Sequence, residues 1–211
     1  MKKSVVVLLV VFLLFGYKAY SEVDFGVIAG VNSSSLRIEP AEDFDVEGRT
    51  TFGAGLFMNL QANDFLSLQI TPMYLQKGGN AKVDYDFLDY TEYRADYLEI
   101  PVLIRLNFDG GMIKPYLLAG PSLGFQLNST YLDGDGKEVD ITNDTKNLDL
   151  SLVLGAGLEI EFDNLSLFGQ LTYNHGLSNL DNSDGILDFT DEIYTRSIGF
   201  YVGLSVPLGK K

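Results

Sequence analysis

The chain has 211 residues, and its 29 acidic residues outnumber its 15 Lys and Arg residues, which gives a formal net charge of −14. This balance argues against nucleic acid as a partner, because phosphate binding needs a basic surface. Hydrophobic residues make up 46% of the sequence, too many for a disordered acidic chain. The absence of Cys excludes disulfides, thiolate metal sites and Cys nucleophiles, and the single His excludes a His metal cluster. No cofactor is predicted, and the length fits one domain.

Residues 1–21 have the features of a secretory signal peptide. Lys2 and Lys3 form the positive start, Val5 to Phe15 form the apolar core, and Ala19-Tyr20-Ser21 supplies small residues at the positions that signal peptidase reads. An uncleaved anchor is the alternative, but the apolar run is shorter than the roughly 20 residues of a transmembrane helix. We therefore expect an exported mature chain of residues 22–211 that forms one β-barrel domain.

Strict alternation of apolar and polar residues, the pattern of a strand with one apolar face, runs through the mature chain. It is plainest near the C-terminus, where one face holds Ile198, Phe200, Val202, Leu204, Val206 and Leu208. The alternation predicts eight strands, at 24–35, 50–60, 65–77, 93–108, 113–127, 147–162, 165–177 and 195–208. Four prolines inside these strands predict local bends or bulges: Pro72, Pro101, Pro115 and Pro121.

The connections between these strands alternate in length. The short ones are Gln61–Asp64, Asp109–Met112 and Asp163-Asn164, and the long ones are about 36–49, 78–92, 128–146 and 178–194. This order predicts an antiparallel up-and-down meander with all long loops at one end and both termini at the other.

The orientation of the apolar face distinguishes a soluble secreted barrel from a membrane barrel. The apolar faces carry essentially no charge over a length that crosses a bilayer, whereas the opposite faces are rich in glycine, as at Gly155, Gly157, Gly199 and Gly203. A narrow barrel interior needs small residues, and a water-facing exterior does not. The sequence thus predicts an all-β protein, an eight-stranded antiparallel up-and-down transmembrane β-barrel.

Aromatic residues on the apolar face gather near the predicted strand ends, as expected of the interfacial girdles of such barrels. They are Phe25, Phe65, Tyr74, Phe108, Phe162 and Tyr173. We therefore expect a location in the outer membrane of a Gram-negative-type bacterium, with outer-membrane lipids as partners. A monomer is favoured.

The fourth and fifth predicted strands contain the stretches Tyr97-Leu98-Glu99-Ile100-Pro101-Val102-Leu103-Ile104-Arg105 and Lys114-Pro115-Tyr116-Leu117-Leu118-Ala119-Gly120-Pro121-Ser122. These two stretches resemble the PorT-like outer-membrane β-barrel family of Bacteroidetes-type bacteria. Asn174-His175-Gly176-Leu177-Ser178-Asn179 is similar to a short motif of the same family. The resemblance covers the mature chain and implies an eight-stranded barrel. The name-giving member is linked to protease export by the type IX route, but most members have no assigned activity. The end of the chain departs from outer-membrane barrels generally, because Leu208-Gly209-Lys210-Lys211 lacks a terminal aromatic residue.

Five charged residues share the interior face of the predicted barrel: Glu99, Arg105, Lys114, Glu159 and Glu161. Charges inside a barrel must be paired or hydrated, since an isolated one costs several kcal/mol. The favoured interpretation is an internal salt-bridge network that fills the lumen, and the alternative is a polar path for protons or small solutes. Sequence alone does not show which acid meets which base.

His175 and Ser178 raise the hypothesis of a lipid hydrolase, but they fall on opposite faces of the strand pattern. No catalytic residue is therefore predicted. Asp133-Gly134-Asp135-Gly136-Lys137-Glu138 resembles part of a calcium loop, although it lacks a later bidentate Glu and fits a hairpin turn better. The second long loop alternates aromatic and acidic residues, a pattern that fits either a contact surface or an extension of the strands.

The four segments 36–49, 77–96, 128–146 and 178–196 hold most of the acid excess. The predicted outer rim is therefore acidic, and it would repel anionic lipopolysaccharide unless divalent cations bridge the two. We expect a non-enzymatic protein with a structural or surface-interaction role through these loops. The alternative is an accessory component of a type IX-like secretion apparatus, in contact with other envelope proteins.

Overall fold

The computed structural model describes residues 22–39, 46–81, 91–132, 137–140, 148–178 and 192–208, and the predicted signal peptide lies outside these ranges. The described residues form ten strands: β1 (Glu22–Glu39), β2 (Val46–Gln61), β3 (Leu66–Ile70), β4 (Met73–Ala81), β5 (Thr91–Asn107), β6 (Ile113–Leu132), β7 (Glu138–Asp140), β8 (Leu148–Glu161), β9 (Ser166–Gly176) and β10 (Glu192–Leu208). None of the described residues belong to a helix long and apolar enough to cross a membrane.

The strands close into one antiparallel barrel of eight barrel strands, as predicted. Neighbours along the chain pair with each other, and β1 pairs with β10 from Val23↔Leu208 to Glu39↔Glu192, which joins the two ends of the sheet. β3 and β4 together make one barrel strand, because both pair with β2 and β5. β7 pairs with Thr130–Leu132 of β6, beyond the part of β6 that pairs with β8.

Strand pairing extends farther toward the long loops than the alternation predicted. β1 continues to Glu39 where the pattern ended at 35, and β6 continues to Leu132 where the pattern ended at 127. The hydrophobic pattern reports contact with lipid, whereas the hydrogen-bond ladder continues wherever two strands stay side by side. Alternation therefore underestimates strands that project past the membrane.

Only one of the four intrastrand prolines interrupts its strand. Thr71-Pro72 separates β3 from β4, and the wall stays joined there by hydrogen bonds from the Leu56 amide to the Pro72 carbonyl (2.9 Å) and from the Thr71 amide to the Pro101 carbonyl (3.2 Å). Pro115 and Pro121 take ladder positions opposite β8 with no shift of register. The bulge in the β5–β6 hairpin lies elsewhere, between Asp96 and Tyr97.

Apolar side chains cover the outside of the barrel, and most of its polar side chains lie inside, together with two clusters of large apolar residues. Leu154, Leu158 and Leu171 are 49%, 55% and 55% exposed, whereas Gln69 and Ser122 are completely buried. This arrangement is the reverse of a water-soluble protein, in which large aliphatic residues are the most often buried. It is the arrangement that a hydrocarbon environment requires of a closed sheet.

Interior glycines make room for large aromatic side chains that cross the lumen. A Cβ on Gly157 would collide with the Tyr116 ring, and one on Gly203 would collide with the Phe168 ring. The Phe168 ring in turn packs on Phe57, with the ring centroids 4.3 Å apart. The sequence predicted small interior residues for a narrow lumen, and the structure shows that two apolar clusters fill the space that these residues leave.

The aromatic residues predicted at the membrane surfaces lie on the outside of the wall. Phe25, Phe65, Phe108 and Phe162 lie at the short-turn end, where Phe65 and Phe108 pack edge to face at 5.8 Å. Tyr74 and Tyr173 lie farther along their strands toward the long loops.

Candidate functional site

A buried Lys lies between two carboxylates in the half of the barrel nearer the long loops. Lys77 of β4 lies with its Nζ 2.9 Å from Glu99 of β5 and 3.1 Å from Asp149 of β8. All three side chains are at most 3% exposed. Glu99 is on the neighbouring strand, whereas Asp149 reaches Lys77 from across the lumen. We call these three residues the upper triad.

Neutral side chains hold the carboxylates of the upper triad in place. Ser122 Oγ and Asn174 Nδ2 donate hydrogen bonds of 2.8 Å and 2.7 Å to Glu99 Oε1. Thr195 Oγ1 donates a longer one, 3.3 Å, to Asp149 Oδ2. The Lys77 ammonium also lies 5.0 Å from the centroid of the Tyr97 ring, within range of a cation–π interaction. Glu99 is therefore more fully hydrogen-bonded than Asp149.

A second charged layer lies nearer the short turns. Arg105 of β5 forms an ion pair with Glu159 of β8 and donates from Nε to Asn107 Oδ1 at 2.7 Å. Its guanidinium stacks 3.7 Å from the centroid of the Tyr116 ring. The Tyr116 hydroxyl donates to Gln170 Oε1 at 3.3 Å, which also accepts from Gln69 Nε2 at 3.2 Å. Polar contacts thus span the lumen at this level.

The third ion pair lies at the rim of the short-turn end. Lys114 Nζ is 2.6 Å from Glu161 Oε2, and the two side chains are 35% and 43% exposed. Exposed pairs of this kind contribute about 0–1 kcal/mol, because water already solvates both charges.

The structure places all five predicted interior residues on the inner side of the wall, but it divides them among three levels. Arg105 pairs with Glu159 and Lys114 with Glu161, whereas Glu99 meets neither base. Its partner is Lys77, the last residue of the predicted strand 65–77, which also counts with the acidic segment 77–96. The structure shows Lys77 in the interior, because β4 continues to Ala81 and Lys77 keeps the inward alternation of Met73 and Leu75.

Asp149 is the other interior charge that the predicted network does not include. It lies one residue from the start of β8 and points inward like Ser151 two residues later. The predicted strands 65–77 and 147–162 already contain Lys77 and Asp149 on the inward alternation, so the signal for both interior charges is present in the sequence.

Little space remains between the two buried charged layers. A cavity of about 30 Å³, lined by residues that include Gln69, Glu99 and Gln170, is the volume of about one water molecule. A larger cavity of about 220 Å³ lies at the short-turn end, next to Arg105 and Glu159. The larger of these two cavities is therefore at one end of the described barrel, and buried side chains such as Tyr97, Leu103 and Tyr116 fill its middle.

His175 and Ser178 make separate contacts. The Tyr173 hydroxyl lies 3.5 Å from His175 Nδ1, and Ser178 Oγ accepts a 2.8 Å hydrogen bond from the Leu150 amide. Residues 133–136 of the hypothetical calcium loop at 133–138 lie outside the described residues, and so does most of the aromatic and acidic second loop.

Residues 16–182 match the family model of the outer membrane protein beta-barrel domain, which is more than half of the chain. The chain therefore belongs to this family, and it is an outer-membrane β-barrel protein.

Solved structures show the same fold. The chain is similar to Neisserial surface protein A, at a TM-score of 0.52 and 17% sequence identity over 86% of this chain and 96% of that one. It is also similar to the outer membrane protein OprG from Pseudomonas aeruginosa, at a TM-score of 0.54 and 12% identity over 91% of this chain and 98% of that one. No curated protein sequence matches the chain. At these identities the likeness concerns the fold alone.

Proposed function

We propose that the protein is a non-enzymatic outer-membrane barrel whose role, structural or in surface interaction, is carried by its acidic extracellular loops. The observation that carries this proposal is the packed lumen. The upper triad and the Arg105–Glu159 pair span the interior at two levels, and the cavity between them has a volume of about 30 Å³. In a barrel that conducts no solute, the two ends are the surfaces available for interaction with other molecules.

Electrophysiology tests the closed lumen directly. The purified full chain, inserted in a planar bilayer, is expected to show no stable conductance at moderate voltage. A matched variant, Lys77→Ala with Glu99→Ala and Asp149→Ala, removes the upper triad and is expected to raise leak events. Stable open conductance of the unmodified protein would contradict the proposal.

Loop replacement tests the surface role. Residues 82–90 and 179–191 each connect the ends of two paired barrel strands, so short Gly-Asn turns can replace them without removing a described strand. We expect the replaced protein to assemble in the outer membrane and cells carrying it to lose adhesion or surface binding that cells with the full chain show. Unchanged adhesion with loss of envelope integrity would instead favour a structural role.

A second candidate is an accessory role in a type IX-like secretion apparatus. It is favoured by the PorT-like resemblance at 97–105 and 114–122, which lie in β5 and β6 and form one hairpin. A deletion strain separates the two proposals. Retention of secreted cargo inside the cell would support the secretion role, whereas normal secretion would leave the surface role.

Lipid hydrolysis is a minor candidate with little support from geometry. Ser178 Oγ is engaged by the Leu150 amide, and the ring nitrogen of His175 lies against Tyr173. We expect His175→Ala to leave lipid A acylation unchanged when lipid is analysed by mass spectrometry. A change in acylation would restore the hydrolase hypothesis.

A further inference from the structure

Arg196 is a cation without a protein partner in a strongly acidic chain. The other Lys and Arg side chains that the structure describes all have partners: Lys77, Arg105 and Lys114 in the ion pairs above, and Arg49, Arg94 and Lys137 in other interactions. Arg196 makes no hydrogen bond or ion pair with the described part of the chain, although the net charge of the protein is −14. Its guanidinium is therefore available to a ligand.

The Arg196 side chain lies on the outside of the barrel wall. Its chain neighbours Thr195 and Ser197 are buried in the lumen, where Thr195 donates to Asp149. Ile198, two residues along β10, is 55% exposed on the lipid side, and alternation places Arg196 on that same side. The long loops of outer-membrane barrels are extracellular, so this end of β10 lies at the outer leaflet. Arg196 is thus one outward position beyond Ile198, toward the lipid headgroups.

Polar side chains flank Arg196 on both neighbouring strands. Its paired residues are His175 of β9 and Ser35 of β1, and directly paired side chains on one face of a sheet lie about 5 Å apart at Cβ. The Tyr173 hydroxyl lies 3.5 Å from His175 Nδ1. When this hydroxyl donates to Nδ1, the other ring nitrogen, Nε2, carries a hydrogen and is a donor. The outer wall thus presents a guanidinium, an imidazole N–H and a hydroxyl side by side.

No acid among the described side chains competes for these donors on the same surface. In the halves of β1, β8, β9 and β10 nearer the long loops, Asp149 is the one acid whose side chain is described, and it is buried in the upper triad. The other described acids of these strands lie toward the short-turn end: Glu22, Asp24, Glu159 and Glu161. The outward surface around Arg196 is therefore locally positive.

We propose that Arg196 and His175 bind the phosphate of a lipid A molecule in the outer leaflet. Lipid A, the phosphorylated glycolipid anchor of lipopolysaccharide, is the anionic lipid that this end of the barrel meets. A guanidinium matches a phosphate with two parallel N–H donors, and such charge-assisted bonds are the stronger hydrogen bonds of proteins. His175 Nε2 supplies a further donor, and the apolar surface at Ile198 and Phe200 contacts the acyl chains. This site lies on the wall and does not depend on the extracellular loops.

Native mass spectrometry of the full chain in detergent tests the proposal with phosphorylated lipid A as the probe. We expect one saturable lipid A per barrel, with binding that weakens as salt is added, because the attraction is screened. The same glycolipid without its phosphate is expected to bind about tenfold more weakly, the effect of losing charge-assisted hydrogen bonds. Equal binding of the two glycolipids would overturn the proposal. Displacement of lipid A by an equal concentration of inorganic phosphate or phosphatidylglycerol would also overturn it, because it would show a general anion site.

Variants on the wall locate the site. Arg196→Gln is expected to weaken lipid A binding about tenfold and His175→Gln about threefold, the effects of losing a charged and a neutral hydrogen bond. Lys137→Gln is the matched control, because it removes the same charge from an exposed residue toward the long-loop end and should change affinity less than about twofold. Gel mobility of the folded form shows whether each variant is assembled. Unchanged affinity of either wall variant, or an equal loss in the control, would overturn the proposal.

Discussion

Replacing Lys77 with Met tests the central claim that the lumen is held by a balanced buried triad. Met has a similar length and no charge, so the substitution removes the cation without opening a large space. It leaves the carboxylates of Glu99 and Asp149 buried, since both side chains are at most 3% exposed. Glu99 keeps its two short hydrogen bonds from Ser122 and Asn174, whereas Asp149 keeps only the 3.3 Å contact from Thr195.

The expected loss of stability is large. Removing one partner of a buried ion pair costs about 3–5 kcal/mol, because the remaining charge stays buried without compensation. The lost contact with the Tyr97 ring adds about 0.5–2 kcal/mol. We therefore expect Lys77→Met to lower the free energy of unfolding by about 4 kcal/mol. Adding Asp149→Asn should recover about 2 kcal/mol, since it neutralises the less well hydrogen-bonded acid.

Urea unfolding of the barrel in lipid vesicles measures these differences. The chain has no Trp, so circular dichroism and the gel mobility of the folded form are the suitable probes. Lys114→Met is the matched control, because it removes an ion pair at the exposed rim and is expected to cost at most about 1 kcal/mol. If Lys77→Met costs no more than Lys114→Met, the buried triad does not hold the lumen and the argument fails.

Three further predictions concern the wall and the second charged layer. Gly157→Ala should destabilise the barrel by about 1–3 kcal/mol, because the new methyl group meets the Tyr116 ring. Gly169→Ala, on the outside of the wall, should change stability little. Equal effects of the two substitutions in unfolding titrations would contradict this packing. Leu171→Arg should cost about 2–4 kcal/mol in lipid vesicles, since this side chain is 55% exposed on the lipid side, and a neutral effect would favour a soluble barrel. Arg105→Lys should lower the free energy of unfolding by about 1–3 kcal/mol although the positive charge is kept. The reason is that Lys loses the stacking on the Tyr116 ring and the planar guanidinium that pairs with Glu159. An unchanged unfolding midpoint would refute this role of Arg105.

The sequence was sufficient to predict the barrel because one physical constraint acts on every strand. Each strand must present apolar side chains to lipid and polar or small ones to the lumen, and successive side chains alternate across the sheet. The short turns after every second strand then gave the order of the meander. The pairing of β1 with β10 and the number of barrel strands, eight, both agree with that prediction.

The charged interior was predicted less completely, for a reason that Lys77 illustrates. Alternation shows that a residue faces inward, but it does not give the height at which that residue crosses the lumen. The height depends on the register between strands and on where each strand ends, and β4 continues past the point where its apolar pattern stops. Lys77 ends the predicted strand 65–77 and also counts with the acidic rim, so the sequence does not show that it meets Glu99.

The sequence by itself determined the architecture, the direction of each side chain and the acidic composition of the long loops, because these follow from local periodicity and from counting residues. Only the tertiary structure decided which charges meet. Lys77 and Asp149 are 72 residues apart in the chain and become neighbours because barrel closure brings β4 and β8 to facing walls at the same level. The same closure creates the cavity at the short-turn end, whose lining comes from separate strands and turns.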